Sequence, residues 1–229
     1  MKDDKGIYAV ITGDIKNFTT LDSKKREQLI LDTESLLRTM VKKSHDAQMF
    51  RGDSYQIILD DIRQALKKSI QLICWFKMNS DRESLPSHTP GTNFRVRLGS
   101  RLSIGIGEIA FKGKSVLDSD GEAFHLSGRV FDEMEKEDII RLTTADEERT
   151  STYQIILMYI NMIIRQWTSS QAETIYQLLS MEEGTQDKIA KKMNMSQPAV
   201  AKSLRSARWK EVERGINFIN KELEKQYFS

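Results

Sequence analysis

The chain has 229 residues, of which 39% are hydrophobic and 30% charged, and its formal net charge is +2. This length and mixture predict a larger domain of about 150 residues together with a smaller one. A disulfide framework is excluded because Cys74 is the only cysteine, and its apolar surroundings predict a buried, unreactive thiol. The N-terminus carries no apolar signal core, and no stretch reaches the roughly 18 apolar residues of a membrane span, so we expect a cytoplasmic protein without a membrane partner.

The first part of the chain predicts a strand, a helix and a hairpin. Residues 7–14 form an apolar run that ends in Gly-Asp, which is typical of a buried strand with a polar end. Residues 21–43 have the apolar spacing of an amphipathic helix. Two strand-like segments follow within 47–59, and the Gly-Asp pair between them predicts a two-residue type II′ turn with Asp53 at its tip.

The middle of the chain predicts further helices and strands. We expect a helix over 60–78, a loop up to residue 93, a strand within 94–109, a helix over 121–134 and a strand over 138–143. In the strand within 94–109, bulky residues alternate with Ser103, Gly105 and Gly107, so its small face must lie close to another backbone or to a ligand. The order β-α-β-β-α-β-α-β predicts an α+β fold, in which helices cover a ferredoxin-like antiparallel sheet.

Residues 151–167 predict a helix of unusual character. Isoleucine, leucine, methionine and tyrosine lie on several of its faces, so it is too apolar to be surrounded by water. It must be buried either between the domains or against a second subunit. We therefore expect a homodimer.

Two aspartates are candidate metal ligands. Asp14 ends the first strand and Asp53 lies at the hairpin tip. If these strands are neighbours, both carboxylates converge on one point, and two oxygen ligands at a strand edge suit Mg²⁺ held with the phosphates of a nucleotide. The alternative is that both aspartates cap turns.

Four segments carry a resemblance to known families. They are Ile-Thr-Gly-Asp-Ile-Lys-Asn-Phe-Thr at 11–19, Arg-Gly-Asp-Ser-Tyr at 51–55, Arg-Leu-Ser-Ile-Gly-Ile-Gly at 101–107 and Gly-Glu-Ala-Phe-His-Leu-Ser-Gly-Arg at 121–129. In this order they resemble the motifs of class III nucleotidyl cyclase domains, and they are more similar still to those of the SatD-like family. The resemblance covers residues 7–143 and implies a cyclase-like α+β domain.

This resemblance implies a site for a nucleotide and Mg²⁺. It implies that Asp14 and Asp53 bind the metal and that Asp118 reads the purine. It also implies that Arg129 stabilises the transferring phosphoryl group, because a positioned guanidinium neutralises charge on the equatorial oxygens.

Two positions depart from the cyclase pattern. Met49 stands where the family has a purine-reading lysine, and a methionine cannot donate a hydrogen bond to a base. His125 stands where the family has the asparagine that is paired with the arginine; it is a candidate proton shuttle, with a structural role as the alternative. These departures predict an inefficient cyclase and leave nucleotide or metal binding as the expected property.

The C-terminal part predicts a tight arrangement of short helices. A helix over 168–180 is followed by a helix over 186–193, which Thr185 caps and Asn194 ends. Ser196 caps the next helix, whose first turn contains a proline, where the missing amide donor costs nothing. The sequence therefore predicts a helix-turn-helix.

Residues 189–200, Ile-Ala-Lys-Lys-Met-Asn-Met-Ser-Gln-Pro-Ala-Val, resemble the helix-turn-helix of sigma-factor-like and other bacterial regulators. The resemblance implies that the second helix enters the major groove of duplex DNA. In this arrangement Gln197 reads a base edge and basic side chains hold phosphates. The candidate DNA-binding residues are Ser196, Gln197, Ala199, Lys202, Ser203, Arg205 and Arg208.

The distribution of charge favours the same interpretation. Residues 185–214 contain eight basic and three acidic residues and carry +5, so the rest of the chain carries −3. Such asymmetry indicates that the C-terminal part meets a polyanion. Two alternatives compete with it: a solvated helix face, or a helix hairpin that packs on the large domain or on a partner protein.

Together these patterns predict three parts: a cyclase-like domain over 1–149, a linker and dimerisation helix over 150–167, and a helix-turn-helix domain over 168–229. The predicted function is a DNA-binding transcription regulator whose large domain acts as a sensor or scaffold. The alternative is a Mg²⁺-dependent, cyclase-like enzyme that processes a nucleotide. A third hypothesis is an interaction scaffold in which both sites are degenerate.

Overall fold

The computed structural model describes residues 6–80, 98–181 and 184–228, and the backbone of two short strands between them. Most of the predicted loop, including Pro86, Pro90 and Gly91, lies outside the described residues. The strands are β1 (Ile7–Lys16), β2 (Ala47–Phe50), β3 (Ser54–Leu59), β4 (Ser84–Leu85), β5 (Phe94–Arg95), β6 (Gly99–Glu108) and β7 (Ile140–Thr143). The α-helices are α1 (Ser23–Met40), α2 (Ala65–Ser80), α3 (Glu122–Asp132), α4 (Glu147–Arg165), α5 (Ser169–Leu179), α6 (Gln186–Met193), α7 (Gln197–Ser206) and α8 (Trp209–Phe228).

The main sheet has five strands in the order β2-β3-β1-β6-β7, and the fold is mixed α+β. The central strand β1 pairs antiparallel with both β3 and β6, and β2 and β3 form a hairpin. The prediction of a wholly antiparallel sheet is wrong at its edge, where β7 pairs parallel to β6. The physical reason is the connection: the chain crosses from β6 to β7 through α3, and such crossovers join parallel strands.

The two faces of the sheet are covered differently. Leu102, Ile104 and Ile106 of β6 belong to the main core, which they share with α1 and α2. The opposite face carries the small residues and is covered by α3. A Cβ atom added to Gly105 would lie 2.2 Å from the carbonyl oxygen of Ala123 in α3. The predicted close approach at the small face of β6 is therefore made by the backbone of a helix.

The hairpin between β2 and β3 has a three-residue turn, so the predicted two-residue turn is wrong. The last strand pair is Phe50 with Ser54. Both Arg51 (φ 53°) and Gly52 (φ 84°) adopt positive φ, and Gly52 does so without a steric cost. Asp53 follows them, and its carbonyl oxygen accepts a hydrogen bond from the backbone N–H of Ile15 at 2.8 Å. The hairpin end is thereby held against β1.

The C-terminal helices join the core of the large domain. Ala172 and Ile175 of α5, and Val212 and Ile219 of α8, belong to the same buried cluster as the sheet. A Cβ atom added to Gly215 of α8 would lie 2.9 Å from the Ile160 side chain, so this glycine allows a close contact with α4. Within the described residues, α6 and α7 also have a small buried cluster between them, formed by Ile189, Ala190 and Val200. None of the helices in the described part of the chain has the length and apolar character needed to cross a bilayer.

Candidate functional site

The end of β1 brings Asp14 and Asp53 to the same place in the fold. Asp14 pairs in register with Ser54, the residue after Asp53, and the next residue of β1 is hydrogen-bonded to the Asp53 carbonyl. Partial burial raises the pKa of the Asp14 carboxyl; the nearby Arg101 opposes this effect, and the negative charge of Asp53 raises the pKa further. The strand pairing and the hydrogen bond to the Asp53 carbonyl therefore place Asp14 and Asp53 at one edge of the sheet.

Arg101 is the cationic partner of Asp14. Its Nε donates to Asp14 Oδ2 at 3.0 Å, and a second guanidinium nitrogen donates to the Met134 carbonyl oxygen at 2.9 Å. The guanidinium carbon also lies 5.0 Å from the centre of the Phe131 ring. Sequence reasoning gave Arg101 no role. The signal that finds it is the cross-strand register, which places Asp14 and Arg101 directly opposite each other on β1 and β6.

The donor set at this edge is incomplete for a metal ion by itself. No group of three or more histidine, cysteine, aspartate or glutamate residues that could hold an ion occurs among the residues the structure describes. Mg²⁺ is commonly held by one or two carboxylates together with water and substrate phosphates. Asp14 and Asp53 can thus hold Mg²⁺ only if phosphate oxygens fill the rest of its coordination shell. The Asp14 carboxylate must then bind both the ion and the Arg101 guanidinium.

The other predicted residues of the cyclase-like site lie around α3. Arg129 is exposed in the last turn of the helix. His125 is also exposed, and its Nε2 lies 2.8 Å from Asp120 Oδ1 near the beginning of α3. Asp118 is exposed and accepts a hydrogen bond from Ser115 Oγ at 2.9 Å.

Met49 belongs to the interior. Its side chain is only 7% exposed and packs in the main core. A side chain that reads a purine from this position would have to leave the core. Met49, which replaces the lysine of the cyclase pattern, therefore has a packing role in this chain.

The helices α6 and α7 form a capped pair with a sharp turn between them. Thr185 accepts from the Lys188 N–H at the start of α6, and Ser196 accepts from the Ala199 N–H at the start of α7. Asn194 ends α6 in the left-handed conformation with φ 52°. These caps and this turn were predicted from the sequence and are confirmed. Ile189, Ala190 and Val200 form the contact between the two helices.

Most of the predicted DNA-contact residues lie on the outside of this pair. Gln197, Lys202, Arg205 and Arg208 are exposed, as is Ser196. Within the described part of the chain, no residue forms an ion pair with Lys202, Arg205 or Arg208. Their charges are therefore free to meet a ligand.

Ser203 and Ala199 have different surroundings from the exposed residues. The Oγ of Ser203 lies 3.0 Å from Thr174 Oγ1 of α5, so this side chain faces the protein and not the solvent. Ala199 is half-buried near the start of α7. We leave both residues out of the surface described next.

We refer to the exposed cations of this region together as the basic face. Between Asp187 and Glu211 the chain has seven basic residues and no acidic residue. All seven are exposed, and they lie on α6, on α7, in the turn after α7 or at the beginning of α8. The basic face consists of Lys188, Lys191, Lys192, Lys202, Arg205, Arg208 and Lys210.

Comparison with known proteins gives little. No family model and no curated protein sequence matches the chain. Among solved structures, the active GGEEF domain of a diguanylate cyclase from Vibrio cholerae is similar, with 11% sequence identity and a TM-score of 0.35. That match covers 62% of this chain and 84% of that chain. The resemblance to SatD-like and cyclase domains therefore stays a prediction from the four sequence segments.

Proposed function

We propose that the protein binds duplex DNA through the basic face and acts as a transcription regulator, with the sheet domain as its sensor or scaffold. The observation that carries this proposal is the basic face: seven exposed cations, uninterrupted in sequence by an acidic residue, on a capped helix pair and the start of the helix that follows it. Lysine and arginine side chains that neutralise phosphates supply most of the affinity of proteins for DNA. A single α-helix fits the major groove.

The arrangement of α7 suits this role. Lys202 and Arg205 are three residues apart and lie on the same exposed side of the helix, whereas Val200 and Ser203 face inward. Gln197 lies at the helix N-terminus, where a side chain that enters the groove reaches base edges. Glutamine can form two hydrogen bonds to adenine, so Gln197 is the candidate for sequence reading and the two cations are candidates for phosphate contacts.

The negative charge on the rest of the chain would orient the protein on DNA. Outside residues 185–214 the chain carries −3. DNA is therefore attracted to one side of the protein and repelled by the rest. An acidic protein partner would be attracted to the same face, and salt dependence with sequence preference distinguishes the two ligands.

The test is binding of the full chain to a labelled duplex by fluorescence anisotropy, with sodium chloride varied from about 50 mM to about 200 mM. We expect the logarithm of the binding constant to fall linearly with the logarithm of the salt concentration, because each neutralised phosphate releases condensed counterions. Polyglutamate is the matched competitor. Absence of binding at about 50 mM salt, or equal competition by polyglutamate and unlabelled duplex, would contradict DNA binding.

A second candidate function is the binding of a nucleotide with Mg²⁺ at Asp14 and Asp53. The specific observation in its favour is that Asp14 of β1 lies opposite Ser54, the residue after Asp53, while the Ile15 N–H donates to the Asp53 carbonyl oxygen at 2.8 Å. A divalent cation bound by both carboxylates would take its remaining ligands from water and nucleotide phosphates. The ion would neutralise phosphate charge, and Arg101 would hold Asp14 in place.

This second candidate predicts a loss of binding in Asp53→Asn. We expect the variant to bind ATP or GTP with Mg²⁺ at least about tenfold more weakly than the unmodified chain, because one of the two anionic ligands is removed. Isothermal titration calorimetry measures the difference. Asp132→Asn, which removes an exposed carboxylate from α3, is the control and should leave binding unchanged. Equal affinities of the chain and of Asp53→Asn would exclude the site.

A further inference from the structure

One face of α4 is apolar and uncovered. Ile155, Met158, Tyr159 and Met162 are 59%, 50%, 60% and 54% exposed. The other face of this helix is buried against β7 and α8, so the chain itself covers only part of the apolar surface that the sequence places on α4. We call these four residues the α4 stripe.

The α4 stripe is one continuous surface. Its members are spaced i, i+3, i+4 and i+7, which places them side by side on one face of a helix. Four of the nine large hydrophobic side chains that are exposed in the described residues belong to it. Phe218 of α8, which is also exposed, lines a cavity together with Thr152 near the beginning of α4. Single exposed apolar residues are normal on protein surfaces, but contiguous patches mark interaction sites.

We infer that the α4 stripe binds the same stripe of a second copy of this chain, with the two helices antiparallel about a twofold axis. The argument for this occupant is the charge at the two ends of the helix. Glu148 lies seven residues before Ile155, on the same face, and Arg165 is exposed at the end of α4. An antiparallel pair centred between Ile155 and Met158 places Ile155 of each copy opposite Met158 of the other. The same register places Glu148 opposite Arg165, whose guanidinium also donates to the Glu137 carbonyl oxygen of its own chain at 2.8 Å.

The same charges disfavour other arrangements. A parallel pair would place Glu148 opposite Glu148, where like charges repel. Two antiparallel helix dipoles also attract each other, whereas parallel dipoles do not. Helices that lie on a membrane surface carry lysine and arginine along their polar flanks, but α4 begins with two glutamates. This inference does not depend on DNA binding.

The first test is the mass of the full chain in solution by light scattering. We expect twice the chain mass of 26.4 kDa for the unmodified protein. Met158→Glu should give the mass of one chain, because a charge at the centre of the interface would be buried without a partner. Leu31→Glu, at a position that is 55% exposed on α1, is the control and should stay dimeric. Both variants should keep the circular dichroism spectrum of the folded chain and unfold cooperatively, since both positions are at least half exposed.

A charge exchange then tests the antiparallel arrangement. Glu148→Arg and Arg165→Glu should each raise the dimer dissociation constant, and the double variant should restore it. A monomeric unmodified chain at about 100 μM, or a Met158→Glu variant that stays dimeric, would overturn the inference. Flotation of the unmodified chain with phosphatidylcholine vesicles, lost in Met158→Glu, would assign the stripe to a membrane and would also overturn it. Failure of the double variant to restore the dimer would overturn the antiparallel pairing.

Discussion

Replacement of Gly105 by alanine is expected to destabilise the fold by about 3 kcal/mol. The added Cβ would lie 2.2 Å from the Ala123 carbonyl oxygen and 2.5 Å from the Ser127 nitrogen, and both of these atoms belong to the backbone of α3. A backbone cannot move aside as a flexible side chain does, so the whole helix must shift. The shift would also disturb the hydrogen bond from Ser103 Oγ to the Ser127 carbonyl oxygen at 2.6 Å.

Gly128→Ala is the matched control for this prediction. Gly128 lies in α3 next to Ser127, and a Cβ built there meets no atom within 4 Å. Alanine is more favourable than glycine inside a helix by about 0.5–1 kcal/mol, so this variant should be slightly more stable than the unmodified chain. The free energy of unfolding from urea denaturation measures both changes. A Gly105→Ala variant within about 0.5 kcal/mol of the unmodified chain would show that α3 does not rest on this strand.

The small face of β6 illustrates what the sequence can predict about a fold. The alternation around Gly105 indicates a strand with one bulky and one small face, and the structure has such a strand. Local signals also located the ends of elements correctly at Thr185 and Ser196, because a capping side chain acts within three residues of its own position. These features depend on short stretches of chain.

Features that depend on distant pairing were not predictable in the same way. The apolar pattern of residues 151–167 shows that faces of this helix need burial, but it does not say which neighbours supply it. In the structure, β7 and α8 cover one face of α4, and the α4 stripe on another face stays exposed. For the same reason the merging of α5 and α8 with the main core has no local signal.

The candidate sites show the same limit. The positions of Asp14 and Asp53 at strand ends suggested that they converge, and the structure places them at one edge. Arg101 was missed because its contact with Asp14 depends on the register of β1 against β6, which no local pattern fixes. Ser203 was proposed as a DNA contact because it lies in the N-terminal part of the second helix, which the resemblance places in the major groove, but in the structure its side chain lies against Thr174.

The double variant Lys202→Ala, Arg205→Ala is expected to lose most of its affinity for duplex DNA. If each side chain neutralises one phosphate, the slope of log K against log salt should fall by about 0.9 for each, which is about 60-fold in affinity for the pair near 0.1 M salt. The loss should be similar for all DNA sequences, because phosphate contacts carry no sequence information. Both side chains are exposed, so the melting temperature should stay the same.

Two comparison variants separate the kinds of contact. Arg38→Ala with Lys42→Ala removes the same charge from exposed positions outside the basic face and should change the salt slope little. Gln197→Ala should leave the salt slope intact and instead relax the preference for one base pair, at a cost of about 1–3 kcal/mol for the preferred sequence. Binding of an acidic protein would also weaken when Lys202 and Arg205 are replaced. It would not depend on Gln197 for sequence preference, because such a ligand has no base edges. Equal losses from the two double variants would therefore mean that net charge, and not the α7 surface, attracts the DNA.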